Sequence, residues 1–166
     1  MNPRKLKSDS WCNCKKVPIY KIQKMTNVKI KLIHPDAKIP ARAINTDACY
    51  DVVAVTKKVL GDGRIHYGLG FSLEIPENTQ VDMRARSSIH KTGLILSNCV
   101  GTMDEGYRGE YQALFYHVIP TLPEYEIGDR ILQLQLRTRE DINFIDSEDL
   151  SDTIRGIGGY GHTGLR

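Results

Sequence analysis

Apolar and polar residues alternate in short runs along most of this chain, and Gly, Pro or Asn separates nearly every run. Val28-Lys29-Ile30-Lys31-Leu32 alternates cleanly, which predicts a half-buried strand. Pro35 and Pro40 mark an extended connection, and Asp47 to Val55 predicts a second strand with acids at its entrance. Gly61-Asp62-Gly63 turns the chain into an alternating run through Phe71, Leu73 and Ile75. Pro76-Glu77-Asn78 turns it again, and Val81, Met83 and Ala85 alternate into Arg86. Leu132, Leu134 and Leu136 form the last clear strand. Short strands at even spacing indicate an all-β domain of sandwich or barrel type. One helix interrupts the pattern: Ser87-Ser88-Ile89-His90-Lys91-Thr92-Gly93 has serines as N-caps, a single turn and a glycine stop.

A chain of 166 residues is long enough for one domain with a real core. Residues 1–27 form a polar, lysine-rich extension expected to be mobile, and residues 28–152 the β domain. Residues 153–166 form a glycine-rich tail, expected to stay mobile until a ligand offsets its ordering entropy. No apolar run approaches bilayer length and no signal-peptide core follows Met1, so no membrane partner is expected. A formal net charge of +3 is too small to argue for nucleic acid. Cys12, Cys14, Cys49 and Cys99 lack the spacing of a disulfide framework or a zinc ribbon. They are expected as reduced thiols in a cytoplasmic protein.

The richest chemistry lies between Asn98 and Glu110. Asp104-Glu105-Gly106 reads as a tight turn, because Asp begins turns and Gly accepts positive φ. Val100 and Met103 before it, and Tyr111, Ala113 and Phe115 after it, predict two strands meeting in a hairpin tip. Such a tip offers free backbone groups to a flat polar ligand, with one acid beside it. Three other segments suit phosphate. Arg86-Ser87-Ser88 enters a helix N-terminus. Gly128-Asp129-Arg130 precedes a strand carrying the amide of Gln133. The tail brings Arg155, Thr163 and flexible N–H groups. Each alone also reads as something plainer: a cap, a turn with an ion pair, a disordered end.

Five segments in order resemble the five motifs of the trimeric dUTP pyrophosphatases: Asp47 to Val52, Arg86 to Leu94, Asn98 to Glu110, Gly128 to Leu134 and Arg155 to Gly164. The likeness covers roughly residues 28 to 166. It implies a jelly-roll (β-clip) fold with one short helix, a homotrimer and three active sites, each built from all three subunits. It implies attack of water on the α-phosphorus of dUTP, giving dUMP and pyrophosphate, with Mg²⁺ on the triphosphate. Such chemistry limits uracil in DNA and supplies dUMP for dTMP synthesis. By this resemblance Asp104 is the general base, Tyr107 lies against the deoxyribose, and Asn98 and the backbone around Gly101 read the uracil edge. Arg86, Ser87, Ser88 and Gln133 match phosphate-holding positions from a neighbouring subunit. Arg155 matches the tail arginine on the γ-phosphate and Tyr160 the ring that stacks on uracil, with Gly161, His162 and Thr163 completing the tail contacts. Asp51 matches an acid that meets the hydrated metal through water.

Four positions depart from the family pattern: Cys49 and Ser88 replace glycines, Tyr160 a phenylalanine and His162 a serine. Two alternatives share the scaffold. A dCTP deaminase would need a glutamate where this chain has Leu114, between Ala113 and Phe115. A catalytically silent nucleotide sensor or protein-binding relative would need no Asp104, Tyr107 or Arg155, yet all three are present.

Overall fold

The computed structural model describes residues 25–162. Nearly all of the expected extension, with Cys12 and Cys14, and the tail residue Thr163 lie outside the described residues. Ten strands, all antiparallel, fill the remainder. One four-stranded sheet runs in the order β2 (Tyr50–Val53), β10 (Arg130–Thr138), β6 (Thr79–Ala85) and β8 (Val100–Met103). The other runs β3 (Thr56–Val59), β4 (Arg64–Gly68), β9 (Gln112–His117) and β7 (Leu94–Leu96). A ribbon of β1 (Lys29–Leu32) and β5 (Phe71–Glu74) completes the set. This is the expected jelly-roll architecture.

Alternation explains the layers. Val81 and Met83 of β6 and Leu132 and Leu134 of β10 supply one wall of a single core, while Ile65, Tyr67, Ala113 and Phe115 supply the other. Tyr67 meets Phe115 edge to face at 5.7 Å, and Phe71 stacks on Tyr111 at 5.3 Å. Two of the outer strands, β1 and β3, carry lysines. On β1, Lys29 Nζ meets Glu74 at 2.6 Å and Lys31 stands exposed. On β3, Lys57 sits between Glu124 and Glu126 at 2.7 and 2.8 Å, and Lys58 is exposed. Among the described residues, no helix is long and apolar enough to cross a membrane.

Three expectations need correction. The run at β1 buries less than its alternation suggests: Ile30 is half-buried, but Leu32 is 45% exposed, because β1 belongs to a two-stranded ribbon rather than a central sheet. The strand expected from Asp47 to Val55 is limited to Tyr50–Val53, since Asp47 instead closes a turn by accepting the N–H of Ile44 at 2.9 Å. The helix is one 3₁₀ turn, Ser87–Lys91, and neither serine caps it. Arg86, with extended backbone (φ −68, ψ 154), takes the cap position and makes no side-chain cap bond. The turn stops at Thr92, whose N–H reaches Ile89 O, one residue before Gly93.

Burial pushes the phenols of Tyr67 and Tyr111 from 10.0 up to about 12. A raised folded-state value favours the neutral phenol, so its stabilising contribution is complete below the unfolded value of 10.0 and is lost as pH rises through about 12. Urea unfolding between pH 9 and 12 (about one unit below to two above the ordinary phenol value) is expected to show stability falling with pH. Tyr111→Phe is expected to flatten that slope; an unchanged slope would contradict the burial argument.

Candidate functional site

Asp51 lies on β2 opposite Gln133 of β10, and β10 is flanked on its other side by β6, which ends at Ala85 just before Arg86. Three donors from these segments converge on its buried carboxylate. Arg86 Nε and Gln133 Nε2 donate to Oδ1 at 2.9 and 3.2 Å, and an Arg130 guanidinium nitrogen donates to Oδ2 at 2.8 Å. The cluster therefore joins three of the expected residues, with Ser87 and Ser88 following directly in the chain, and adds Arg130. Half of the Arg130 side chain and about a quarter of Arg86 remain exposed (51% and 23%), so both guanidiniums can face an anion while staying tied to Asp51.

These residues also bear on Mg²⁺. Both Asp51 oxygens are occupied by donors, and among the described residues no group of three or more His, Cys, Asp or Glu could hold a metal ion. Such a donor set suits a hydrated ion carried on phosphate oxygens, not a bare ion held by protein.

The second feature is a slot between β8 and β9. β7 pairs with β9 through Leu96↔Phe115, and Ser97 N–H still reaches Leu114 O at 2.9 Å. Then Cys99 turns left-handed (φ 55) and the chain leaves to pair with β6. The cavity this opens has a volume of about 210 Å³ and is lined by Asn98, Gly101, Met103 and Leu114, with His66 and Gln112 at its wall. It occupies the place of β9's missing neighbour, so a flat ligand meets backbone groups that no further strand pairs with. Gly101 keeps that wall thin: a methyl there would come within 3.1 Å of Asn98 Nδ2.

Asp104 follows β8 at the next corner. Tyr107 N–H donates to Asp104 O at 3.1 Å, closing the expected turn. The turn is not a hairpin tip. β8 pairs with β6 and β9 with β4 and β7, so the corner carries the chain between sheets. The Asp104 carboxylate is exposed, and among the described residues it makes no hydrogen bond or ion pair. Tyr107 folds back over Gly109, its hydroxyl donating to Glu110 O at 2.9 Å. A Cβ on Gly109 would lie 2.5 Å from that hydroxyl, so glycine is required for the ring to lie there.

Within one copy Asp104 and Arg86 are far apart. Met103 lies opposite Val81 near the start of β6, whereas Arg86 follows its end. Five residues of strand separate them by roughly 17 Å. The tail also stands apart. Arg155 Nε donates to Gly158 O at 3.0 Å, Tyr160, Gly161 and His162 are exposed, and among the described residues the tail's hydrogen bonds stay within the tail. The structure thus gathers Asp51, Arg86 and Gln133 in one group and Asn98 and Gly101 in another, and leaves Asp104, Arg155 and Tyr160 outside both. Arg130, His66, Glu110 and Gln112 escaped the sequence reading as site residues. Arg130 had a signal in Gly128-Asp129-Arg130 and Glu110 in the segment from Asn98 to Glu110, whereas His66 and Gln112 had none.

Fold and site define a jelly-roll protein with cationic donors gathered on Asp51 and a cavity between β8 and β9. The dUTPase family profile matches residues 35–164. The deoxyuridine 5'-triphosphate nucleotidohydrolase of Clostridium tetani is 36% identical over 139 residues, 82% of this chain and 96% of that protein. That of Alkaliphilus metalliredigens is 34% identical over 146 residues, 86% of this chain and 100% of that protein. Among solved structures, the dUTPase of Staphylococcus bacteriophage 80alpha with dUPNHPP overlays at a TM-score of 0.72 and 23% identity, covering 85% of this chain and 100% of that one. A variant phage phi11 dUTPase, described for its coordination of a structural Mg(II) ion, overlays at 0.64 and 20% identity over 75% of this chain and 98% of that one. The chain belongs to the dUTPase family, whose curated members are named as deoxyuridine 5'-triphosphate nucleotidohydrolases.

Asp51→Ala would leave the Arg86 and Arg130 guanidiniums and the Gln133 amide without their shared acceptor. It is expected to cost about 2 kcal/mol, between an exposed pair and a fully buried one. Urea unfolding measures this, and a loss within the error of the measurement would show that the cluster is not structural.

Proposed function

We propose that this chain is a dUTP diphosphatase that hydrolyses dUTP to dUMP and pyrophosphate, with water activated by Asp104 attacking the α-phosphorus. One observation carries the reading: β8 begins beside a slot lined by Asn98 and Gly101 and ends at an exposed carboxylate with no partner among the described residues. Water is a poor nucleophile and must lose a proton as it attacks, so a solvent-facing carboxylate beside the substrate suits the task. Asn98 and the backbone near Gly101 read the uracil edge, and Tyr107, held by Glu110, backs the deoxyribose. Arg86, Ser87, Ser88 and Gln133 hold phosphates, and Mg²⁺ neutralises triphosphate charge, reaching the chain through water at Asp51. Leu114 lines the slot where a deaminase would need its acid, which weighs against dCTP deamination.

The active unit is a homotrimer with shared sites. Asp104 and Arg86 of one copy follow opposite ends of β6, which favours a site whose phosphate-holding residues come from another copy. The segment after β10 supports this. Ile142, Phe144, Ile145 and Leu150 are 70% to 90% exposed, an apolar stretch left largely uncovered among the described residues. The tail closes over the triphosphate, Arg155 giving paired hydrogen bonds to the γ-phosphate and Tyr160 stacking on the base, with Gly161, His162 and Thr163 following. The free thiols of Cys49 and Cys99 suit a reducing cytoplasm. There the enzyme limits uracil in DNA and supplies dUMP for dTMP synthesis.

Asp104→Asn is expected to lower dUTP turnover by about 10²–10⁴-fold while sparing dUTP binding. Mixing it with inactive Arg86→Ala protein is expected to restore part of the activity, because some hybrid sites receive both native residues. Near-normal turnover by Asp104→Asn would sink the base assignment, and no recovery on mixing would sink shared sites. Hydrogen exchange of the amides from Arg155 to His162 is expected to slow when a non-hydrolysable dUTP analogue binds. Equal exchange in both states would rule out a closing tail.

A further inference from the structure

Gln112 stands on β9 where the slot opens, opposite Gly68 of β4, and its carboxamide is held at both ends. His66 Nε2 lies 3.1 Å from Gln112 Oε1. A carboxamide oxygen only accepts, so this ring nitrogen carries the proton. Gln112 Nε2 in turn donates to Glu110 Oε2 at 3.1 Å. Glu110 is itself fixed, because Oε1 accepts the N–H of Gly70 at 2.9 Å. Gly68 makes the room: a Cβ there would lie 2.7 Å from Glu110 Oε1. Turning the amide over would set its oxygen against the Glu110 carboxylate, so its orientation is locked.

In that orientation the oxygen and one N–H of Gln112 have partners, and the second N–H has none among the described residues, on an exposed residue that lines the slot. From this geometry we infer that Gln112 is a specificity-determining residue for the base, with His66 and Glu110 as its positioning residues. A donor at that wall favours a ring carbonyl oxygen and opposes an amino group, which selects keto pyrimidines over aminopyrimidines. This rests on the reading of dUTP as substrate. It also links base and sugar contacts through one residue, since Glu110 orients Gln112 by its carboxylate and Tyr107 by its carbonyl oxygen.

The test compares kcat and KM for dUTP and dCTP in the wild type, Gln112→Met and His66→Ala, with binding of dUMP and dCMP by calorimetry. Gln112→Met fills similar space but cannot donate. It is expected to raise KM for dUTP and weaken dUMP about tenfold, the value of one hydrogen bond, with the effect falling on KM rather than kcat. The preference for dUTP over dCTP is expected to fall by a similar factor. His66→Ala removes one of the two partners that hold the amide, and is expected to lose part of the preference. If Gln112→Met keeps the wild-type preference, or if both nucleotides weaken equally, the residue only packs and the inference is overturned. Failure of the wild type to hydrolyse dUTP would overturn the parent reading instead.

Discussion

Cys99 turns left-handed (φ 55) between Asn98 and Val100, and there the chain stops pairing with β9 and starts pairing with β6. A left-handed turn costs a non-glycine residue about 1–2 kcal/mol, so surrounding structure must enforce it. The pairing of Val81 through Arg84 with Met103 through Val100 does so, by drawing β8 into the opposite sheet. A strand that stayed beside β9 would satisfy that backbone and fill the slot. The cavity is therefore a product of topology rather than of missing side-chain volume, and its walls include peptide groups as well as Asn98 and Gln112.

The same sheet keeps the Arg86 and Asp104 ends of one copy apart. β6 joins the Arg86 end to the Asp104 end, and because a strand is stiff and extended the two ends cannot approach each other. Asp51 fixes one end by holding Arg86, Arg130 and Gln133 on a single carboxylate. Those guanidiniums are already neutralised in part, which lowers the cost of keeping them half-buried before any anion arrives. The other end is held by Glu105, which accepts the N–H of Asn78 at 2.8 Å, and by Arg108, which donates to Glu105 O at 2.6 Å. Asp104 is left as the acid of that corner not used in building it.

Much of this was legible in the chain. Alternation located β5, β6 and β10, because their most apolar residues recur on the face turned to the core, and Asp104-Glu105-Gly106 correctly announced a turn. The segment resemblance to the family was visible for the same reason: motifs are local. What the sequence hid was pairing. Nothing local distinguishes a hairpin tip from a corner between sheets, since both need a turn flanked by strands. Ser87 looked like a cap until the extended backbone of Arg86 took that role. His66 and Gln112 are 46 residues apart, and only the β4–β9 register brings them together.

The lysines of β1 and β3 bear on how copies of this chain meet. An outer strand with open backbone groups is a template for any extended segment that drifts past, and unlimited addition of that kind builds fibres. Here a newcomer aligning on β1 or β3 would have to strip water from Lys31 or Lys58, and at β3 would crowd Lys57 between its two glutamates. The stickiest part of the chain is instead the irregular stretch holding Ile142, Phe144, Ile145 and Leu150. Lysine-bearing β1 and β3 are therefore poor templates for a further strand, and the apolar stretch after β10 is the more adhesive surface.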